Sequence, residues 1–207
     1  MNTPDTTKSA LRRRLSAARR AVTAAVREAE AAALAAALPG VAGTVCAYWP
    51  VGGEPGSPAL LDSLLHRGCR VLLPVVDASG PLDCAPLNRV PLNRAPLNWA
   101  EYTGAGSLRA GPFGLREPTG PRLGRTAIAE AALILVPALA VDHRGVRLGR
   151  GGGYYDRTLP LAKAGTPLIA VVRDDEVLPW LPCEPHDVLV SAALTPGSGL
   201  VALPRPE

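Results

Sequence analysis

Several things are scarce in this 207-residue chain, and each scarcity removes a class of function. No apolar run reaches the roughly twenty residues that a helix needs to cross a bilayer, so a cytoplasmic protein without a membrane role is expected. The cysteines Cys46, Cys69, Cys84 and Cys183 lack Cys-x-x-Cys or Cys/His spacing, which argues against a zinc centre and a disulfide framework. Cys46 and Cys69 lie in apolar surroundings and read as small buried hydrophobes. Aromatic residues make up only 4% of the chain and no nucleic-acid motif occurs, so the net charge of +4 does not point to DNA or RNA. Lysine is confined to Lys8 and Lys163; the remaining positive charge is arginine, as GC-rich coding favours. That charge suits anionic partners without choosing among them. What is plentiful is apolar: 47% of residues are hydrophobic, enough for a sizeable core in one domain.

Residues 7–38 follow one helical pattern. Leu11, Leu15, Ala18, Val22 and Val26 recur at three- and four-residue steps, and Pro39-Gly40 ends the run. Its Arg- and Ala-rich start faintly resembles a transit peptide, but an amphipathic helix of the fold is the simpler account. Lys8 and Arg12, four apart, point from one face of its first turns. Beyond it, strands are predicted over 44–49, 70–76, 133–137 and 167–172, helices over 58–66 and 154–164, and a short helix over 127–132. Near-continuous apolar strands separated by helices predict an α/β fold with a largely parallel sheet covered on both faces. Pro86-Leu87-Asn88-Arg89, Pro91-Leu92-Asn93-Arg94 and Pro96-Leu97-Asn98-Trp99 form a five-residue repeat. Recurrent proline disfavours a helix or a central strand, so residues of about 86–98 read as a duplicated surface loop without a catalytic role.

The most informative stretch is Gly145-Val146-Arg147-Leu148-Gly149-Arg150-Gly151-Gly152-Gly153-Tyr154-Tyr155-Asp156-Arg157. It lies between a predicted strand and a predicted helix, where open α/β sheets place ligands. Glycines leave backbone N–H groups uncovered and let the chain wrap an anion. Arginines add forked positive donors, tyrosines add flat surfaces, and Asp156 offers oxygen to a hard cation. Together they suit a magnesium–nucleotide triphosphate lying against a second, flat substrate, with helix N-terminal amides as further phosphate donors. The run is not a Walker A loop, because no Gly-Lys-Ser/Thr follows, and it is not a dinucleotide fingerprint.

Each residue also has a plainer reading. A glycine run occurs in ordinary turns, although no turn requires the continuation Tyr154-Tyr155-Asp156-Arg157. Asp156 suits the first turn of any helix. Arg144, Arg147, Arg150 and Arg157 can be solvated charges, with at least two expected on the phosphate side. Glu54, in the Gly/Pro-rich loop after the first strand, is either a ligand carboxylate or an exposed loop acid; Glu117 is similarly ambiguous. Trp99 and Tyr102 either stack on a flat ligand or pack beneath a loop. His186-Asp187 has no nucleophilic Ser or Cys motif beside it and is not read as a triad fragment.

Taken together, these elements resemble the 5-formyltetrahydrofolate cyclo-ligase (5,10-methenyltetrahydrofolate synthetase) family. The glycine-rich signature, preceded by Val136-Pro137-Ala138-Leu139-Ala140-Val141-Asp142, is the specific part. In the family's order stand Lys8 and Arg12 on the first helix, Tyr48 to Glu54, Leu72-Leu73-Pro74, Phe113-Gly114-Leu115-Arg116-Glu117-Pro118 and Glu184-Pro185-His186-Asp187. The Pro-Leu-Asn repeat looks like an insertion, and Thr195 is followed by Pro196 where the family has an acid, so Thr195 is left out of the site.

The resemblance implies a single domain over 1–207. Its fold would be a three-layer α/β/α sandwich around a largely parallel sheet, similar to phosphosugar isomerase and CoA-transferase folds. It implies conversion of 5-formyltetrahydrofolate to 5,10-methenyltetrahydrofolate, with ATP as co-substrate, Mg²⁺ as the metal, and ADP and phosphate released. Lys8, Arg12, Arg147, Gly149, Arg150, Gly151, Gly152, Gly153, Tyr154, Tyr155 and Asp156 would hold ATP. Arg150 and Tyr154 would serve the chemical step. Asp156 and Asp187 would ligate Mg²⁺ directly or through water, and Glu54, Trp99, Tyr154 and Tyr155 would meet the folate. The partners implied are the reduced formylfolate and ATP, with a monomer expected and no nucleic acid or membrane.

Two other readings stand beside this one. A sugar-phosphate or CoA-ester enzyme would use the glycine run for phosphate, but no acid/base pair is evident near it. A nucleic-acid or regulatory module would need a basic face interleaved with aromatics, which are sparse here.

Overall fold

The computed structural model describes residues 7–76, 95–111 and 114–204. Along the chain run helices α1 (Lys8–Ala21) and α2 (Ala24–Ala36), strand β1 (Thr44–Cys46), helix α3 (Pro58–His66), and strands β2 (Arg70–Val75) and β3 (Asn98–Tyr102). Strands β4 (Leu108–Ala110), β5 (Arg116–Pro118), β6 (Ala131–Pro137), β7 (Ala140–Asp142) and β8 (Arg147–Leu148) follow. Helix α4 (Tyr154–Thr158) and strands β9 (Leu168–Val171), β10 (Val177–Leu178), β11 (Ala192–Thr195) and β12 (Gly199–Ala202) complete it.

Period-two side-chain alternation explains the layering. Val45, Val71, Leu73, Leu133, Leu135, Ile169 and Val171 point to one face, where they meet Leu34 of α2 and Leu60, Leu61 and Leu64 of α3. Their neighbours Cys46, Leu72, Ile134, Val136, Leu168 and Ala170 point to the other, against Ala127, Ile128 and Leu159. Both faces of the inner strands are dry, so their central residues are apolar and polar ones such as Thr44 and Arg70 stand at strand ends; each fully buried Leu or Ile contributes about 1.5–3 kcal/mol. The result is the α/β/α sandwich expected from sequence.

The main sheet has seven strands in the order β12-β11-β9-β6-β1-β2-β3. Its five inner strands are parallel, and β3 and β12 pair antiparallel at the edges. Counted along the chain, the parallel strands run second, first, third, fourth, fifth, so the chain leaves β1 and β6 toward opposite sides of the sheet. A crevice therefore opens above the carboxyl ends of β1 and β6. A small sheet, β10-β7-β8, carries Ala140 and Leu148 against Leu11 and Leu15 of α1.

Several expectations are corrected. The helix expected over 7–38 is two helices, broken at Val22-Thr23, where the Thr23 hydroxyl caps α2 by accepting from the Val26 N–H at 3.4 Å. The apolar stripe changes with it: Ala18 and Val26 are exposed, and Arg19 takes the buried place after Leu15. The helix expected over 154–164 stops after five residues and tightens to a 3₁₀ turn at Leu159–Leu161, because Pro160 has no N–H to continue it. The short helix near 127 is a 3₁₀ segment, Arg125–Glu130. Residues 86–94 lie outside the described residues. The third repeat copy does not end as a surface loop: Leu97 is buried, and Asn98 and Trp99 begin the edge strand β3. Pro96 lies just before the strand, where it removes no ladder hydrogen bond.

Asp174, after β9, fastens the β11–β12 hairpin. It accepts hydrogen bonds from the Thr195 hydroxyl at 2.7 Å, the Gly197 N–H at 2.8 Å, and the Ser198 N–H and hydroxyl, both at 2.9 Å. Burial alone would raise its carboxyl, but these donors outweigh it and hold it below the ordinary 3.8. A carboxyl lowered by folding stabilises the fold above its unfolded value, and that contribution is lost as pH falls through the folded one. Asp174→Asn is therefore expected to lower the urea midpoint at neutral pH, with the difference shrinking below 3.8. Equal midpoints at neutral pH would refute the anchoring role.

Candidate active site

The crevice above β1 and β6 is an open cleft of about 390 Å³ lined by Arg12, Ser16, Arg19, Arg20, Gly52, Gly53, Leu139 and Arg150. Its lining has four arginines and no acid, which makes it a cleft for anions. Four segments build it, the glycine run supplying Arg150. Arg12, Ser16, Arg19 and Arg20 fall at four-, three- and one-residue steps on one side of α1. Gly52-Gly53 follows β1, and Leu139 follows β6.

A buried ionic chain sets α1 against those two loops. Arg19 donates to both Glu176 oxygens, at 2.6 and 2.7 Å, and to the Ala138 carbonyl. Arg173 bonds Glu30 of α2 at 2.9 Å and the Gly53 carbonyl at 3.1 Å, while its own N–H donates to Glu176 at 2.8 Å. Gly53 runs so close to α1 that an added Cβ would lie 3.0 Å from Arg19 Cβ and 3.1 Å from the Arg19 carbonyl. Sequence reasoning missed this chain. Its one visible signal was an arginine at position 19, four residues after Leu15, where the apolar stripe of α1 required a hydrophobe.

The glycine run crosses from β8 to α4, as expected, although β8 is two residues long and belongs to the small sheet. Arg12 Nε donates to the Gly149 carbonyl at 2.9 Å, and its guanidinium faces Gly151, whose φ of +94° and tight approach to Arg12 suit only glycine. Arg150 reaches across the cleft to the Val51 carbonyl at 3.2 Å and to Glu54 at 3.1 Å. Gly152 packs against the Tyr154 ring and accepts from Arg157, and Gly153 leads into α4. With five residues, α4 is too short to offer the phosphate-binding N-terminus expected of it.

Glu54 is not an exposed loop acid. Its side chain is 9% exposed, and burial raises its carboxyl, with Arg150, the Val51 N–H and Arg19 pulling the other way. Close to it electrostatically lie the phenols of Tyr48 and Tyr155, both pushed up by burial. Tyr48 donates to the Pro55 carbonyl, whereas the buried Tyr155 hydroxyl and Arg147 Nε find no partner among the described residues. Arg147 stands 5.9 Å from the Tyr155 ring centre and binds Asp156 at 2.5 Å. Two unsatisfied buried polar groups side by side are costly unless something else bonds them.

At the start of α1, Lys8 Nζ binds Asp187 at 2.9 Å and Glu184 at 3.1 Å. Burial lowers the Lys8 ammonium, but the two acids outweigh it and raise the group; Asp187 is lowered, since Lys8 and the Glu184 N–H outweigh its burial. The structure thus joins Lys8 to Asp187, Arg12 to Gly149 and Gly151, Arg147 to Tyr155 and Asp156, and Arg150 to Glu54. Trp99 is the exception. It is wholly enclosed among Cys46, Leu72 and Ile128, so the stacking role expected for it is replaced by core packing, with no partner for its indole N–H among the described residues. Tyr102 is also buried and donates to Asp62 at 2.8 Å. Cys46 is an inert core thiol, pushed up to about 12 by burial. No described helix is long and apolar enough to cross a membrane.

Residues 4–196 match the profile of the 5-formyltetrahydrofolate cyclo-ligase family. The chain is 55% identical over 163 residues to the 5-formyltetrahydrofolate cyclo-ligase of Mycolicibacterium smegmatis, covering 77% of each. It is 28% identical over 159 residues to the enzyme of that name from Escherichia coli, covering 75% of this chain and 79% of the relative. The fold is similar to that of Aquifex aeolicus 5,10-methenyltetrahydrofolate synthetase, with a TM-score of 0.75 at 24% identity over 97% of this chain and 94% of the other.

Proposed function

The chain belongs to the 5-formyltetrahydrofolate cyclo-ligase family, and from that premise we propose that it closes 5-formyltetrahydrofolate to 5,10-methenyltetrahydrofolate with MgATP as co-substrate. The observation that carries the reading is the acid-free arginine cleft at the sheet's crevice, with buried Glu54 joined to it through Arg150.

The chemistry explains what the residues are for. The N5-formyl oxygen is an amide oxygen and a poor leaving group. Its attack on the γ-phosphorus forms a C–O–P link and breaks the bond to ADP. N10 then adds to the activated carbon and loses its proton, and the C–O bond breaks, so phosphate leaves and the five-membered ring closes. No enzyme nucleophile is needed. The protein's task is alignment and neutralisation of phosphate charge.

Lys8, Arg12, Arg147 and Arg150, with the Gly149–Gly153 backbone, would hold the triphosphate. Arg150 and Tyr154 would lie nearest the transferring group. Glu54, and the Tyr155 hydroxyl that lacks an internal partner, would bond the N–H and carbonyl edge of the pterin. Asp156 and Asp187 suit Mg²⁺ in kind, since both offer carboxylate oxygen. No described group of three or more His, Cys, Asp or Glu forms a cage for a metal. That suits an ion taken up by one or two carboxylates plus phosphate oxygens. When bound, the ion would neutralise charge on the phosphates.

The test is near-ultraviolet absorbance of the full chain with 5-formyltetrahydrofolate and MgATP, since the conjugated product absorbs where the substrate does not. A rise that needs all three components and matches ADP release is expected. A flat trace from folded, nucleotide-binding protein would reject the folate as acceptor.

A further inference from the structure

Three of the four cations assigned to the triphosphate are already paired with acids, and the fourth, Arg12, bonds the Gly149 carbonyl. Lys8 is held by Asp187 and Glu184, Arg147 by Asp156, and Arg150 by Glu54. The Lys8 and Asp187 side chains are only 17% and 9% exposed, so this pair is poorly hydrated and cannot separate without replacement. Two of the four acids are the carboxylates proposed for the metal. Resting on the nucleotide reading above, we propose that these ion pairs form an exchange lock that makes triphosphate and divalent cation bind only together. The phosphates take Lys8 and Arg147, and the cation takes Asp187 and Asp156.

The argument is one of charge compensation. A triphosphate arriving alone draws Lys8 away and strands Asp187, a half-buried carboxylate whose remaining hydrogen-bond donor is the Glu184 N–H at 2.7 Å. A cation arriving alone has to displace an ammonium and a guanidinium, neither of which then has an anion nearby. When both arrive, each protein charge exchanges one counter-charge for another. The coupling is reciprocal: whatever factor the cation adds to nucleotide affinity, the nucleotide adds to cation affinity. Glu184 then has a role the sequence did not suggest. It sets how strongly nucleotide binding depends on metal while serving neither as a metal ligand nor as a phosphate donor.

Calorimetric titration of the full chain with the β,γ-imido analogue of ATP, in excess Mg²⁺ and in chelator, tests this. The wild-type chain is expected to bind the analogue at least about tenfold more weakly in chelator, within the usual range of coupling. Glu184→Gln, at an exposed position, should tighten metal-free binding by about threefold and leave Mg²⁺-loaded binding unchanged. Asp187→Asn should tighten metal-free binding further, by about tenfold, and weaken the Mg²⁺-loaded complex. A purely structural Glu184, or an Asp187 that only ligates metal, tightens nothing. If neither variant gains metal-free affinity while the wild type binds with Mg²⁺, the lock is wrong and the nucleotide site stands. If the wild type binds the analogue under neither condition, the nucleotide reading falls and the lock with it.

Discussion

With MgATP as the proposed co-substrate, Arg12→Ala is expected to lower kcat/KM for ATP by about 10²–10³-fold with little change in the unfolding midpoint. Arg12 is half-buried on α1, donates to the Gly149 carbonyl and stacks its guanidinium against Gly151. Its loss removes the tether that shapes the glycine run and, on the proposed reading, a donor for the phosphates, so a near-attack geometry would be lost along with charge. The deficit should appear with ATP as the varied substrate more than with the folate. Arg12→Lys should recover part of it, because an ammonium restores charge but not the planar fork that spans Gly149 and the cleft. Near-wild-type kcat/KM in Arg12→Ala would remove α1 from the nucleotide site.

Glu176→Ala is expected to destabilise the fold by about 3–5 kcal/mol, read from urea unfolding. Glu176 is 4% exposed and receives both Arg19 nitrogens and the Arg173 N–H. Without it, two arginines buried to 4% and 7% exposure face each other with only Glu30 and carbonyl oxygens left. Breaking one partner of such a chain costs far more than the chain contributes, since an uncompensated charge remains in the core. Gly53 and Ala138 are bonded to those same two arginines, so the cleft should lose its shape in any molecules that stay folded as the arginines seek water. A loss below about 1 kcal/mol, the usual range for a surface pair, would show that the chain is not buried in solution.

Most of the sheet was legible because its strands are apolar on both faces. The runs at 70–76, 133–137 and 167–172 match β2, β6 and β9 within two residues, and α3 matches outright. Helix breaks were not legible. Val22-Thr23 sits inside an unbroken three-and-four pattern, and only packing decides that Thr23 caps a second helix. Proline in the repeat pointed away from a central strand, and the chain follows it into an edge strand, a distinction that periodicity alone does not make. In the site, the charged residues beside glycines were visible because no turn needs them. Arg19, Arg173 and Glu176 were not, since a buried ion pair between residues 157 apart leaves no local spacing. Trp99 erred for the same reason: a tryptophan near a loop looks the same whether it faces a ligand or the core.

Helix α1 is fastened by partners far along the chain. Its bonds to Gly149, Glu176 and Asp187 span 137, 157 and 179 positions of the chain. No shorter chain ending before residue 187 contains both halves of the Lys8 pair. During synthesis α1 therefore emerges with Arg19 and Lys8 unmatched, more than 150 residues ahead of Glu176 and Asp187. Such long-range closures are entropically late and slow. The architecture thus ties the cleft to the far end of the fold: a chain cut before residue 187 keeps Lys8 but not the acid that holds it.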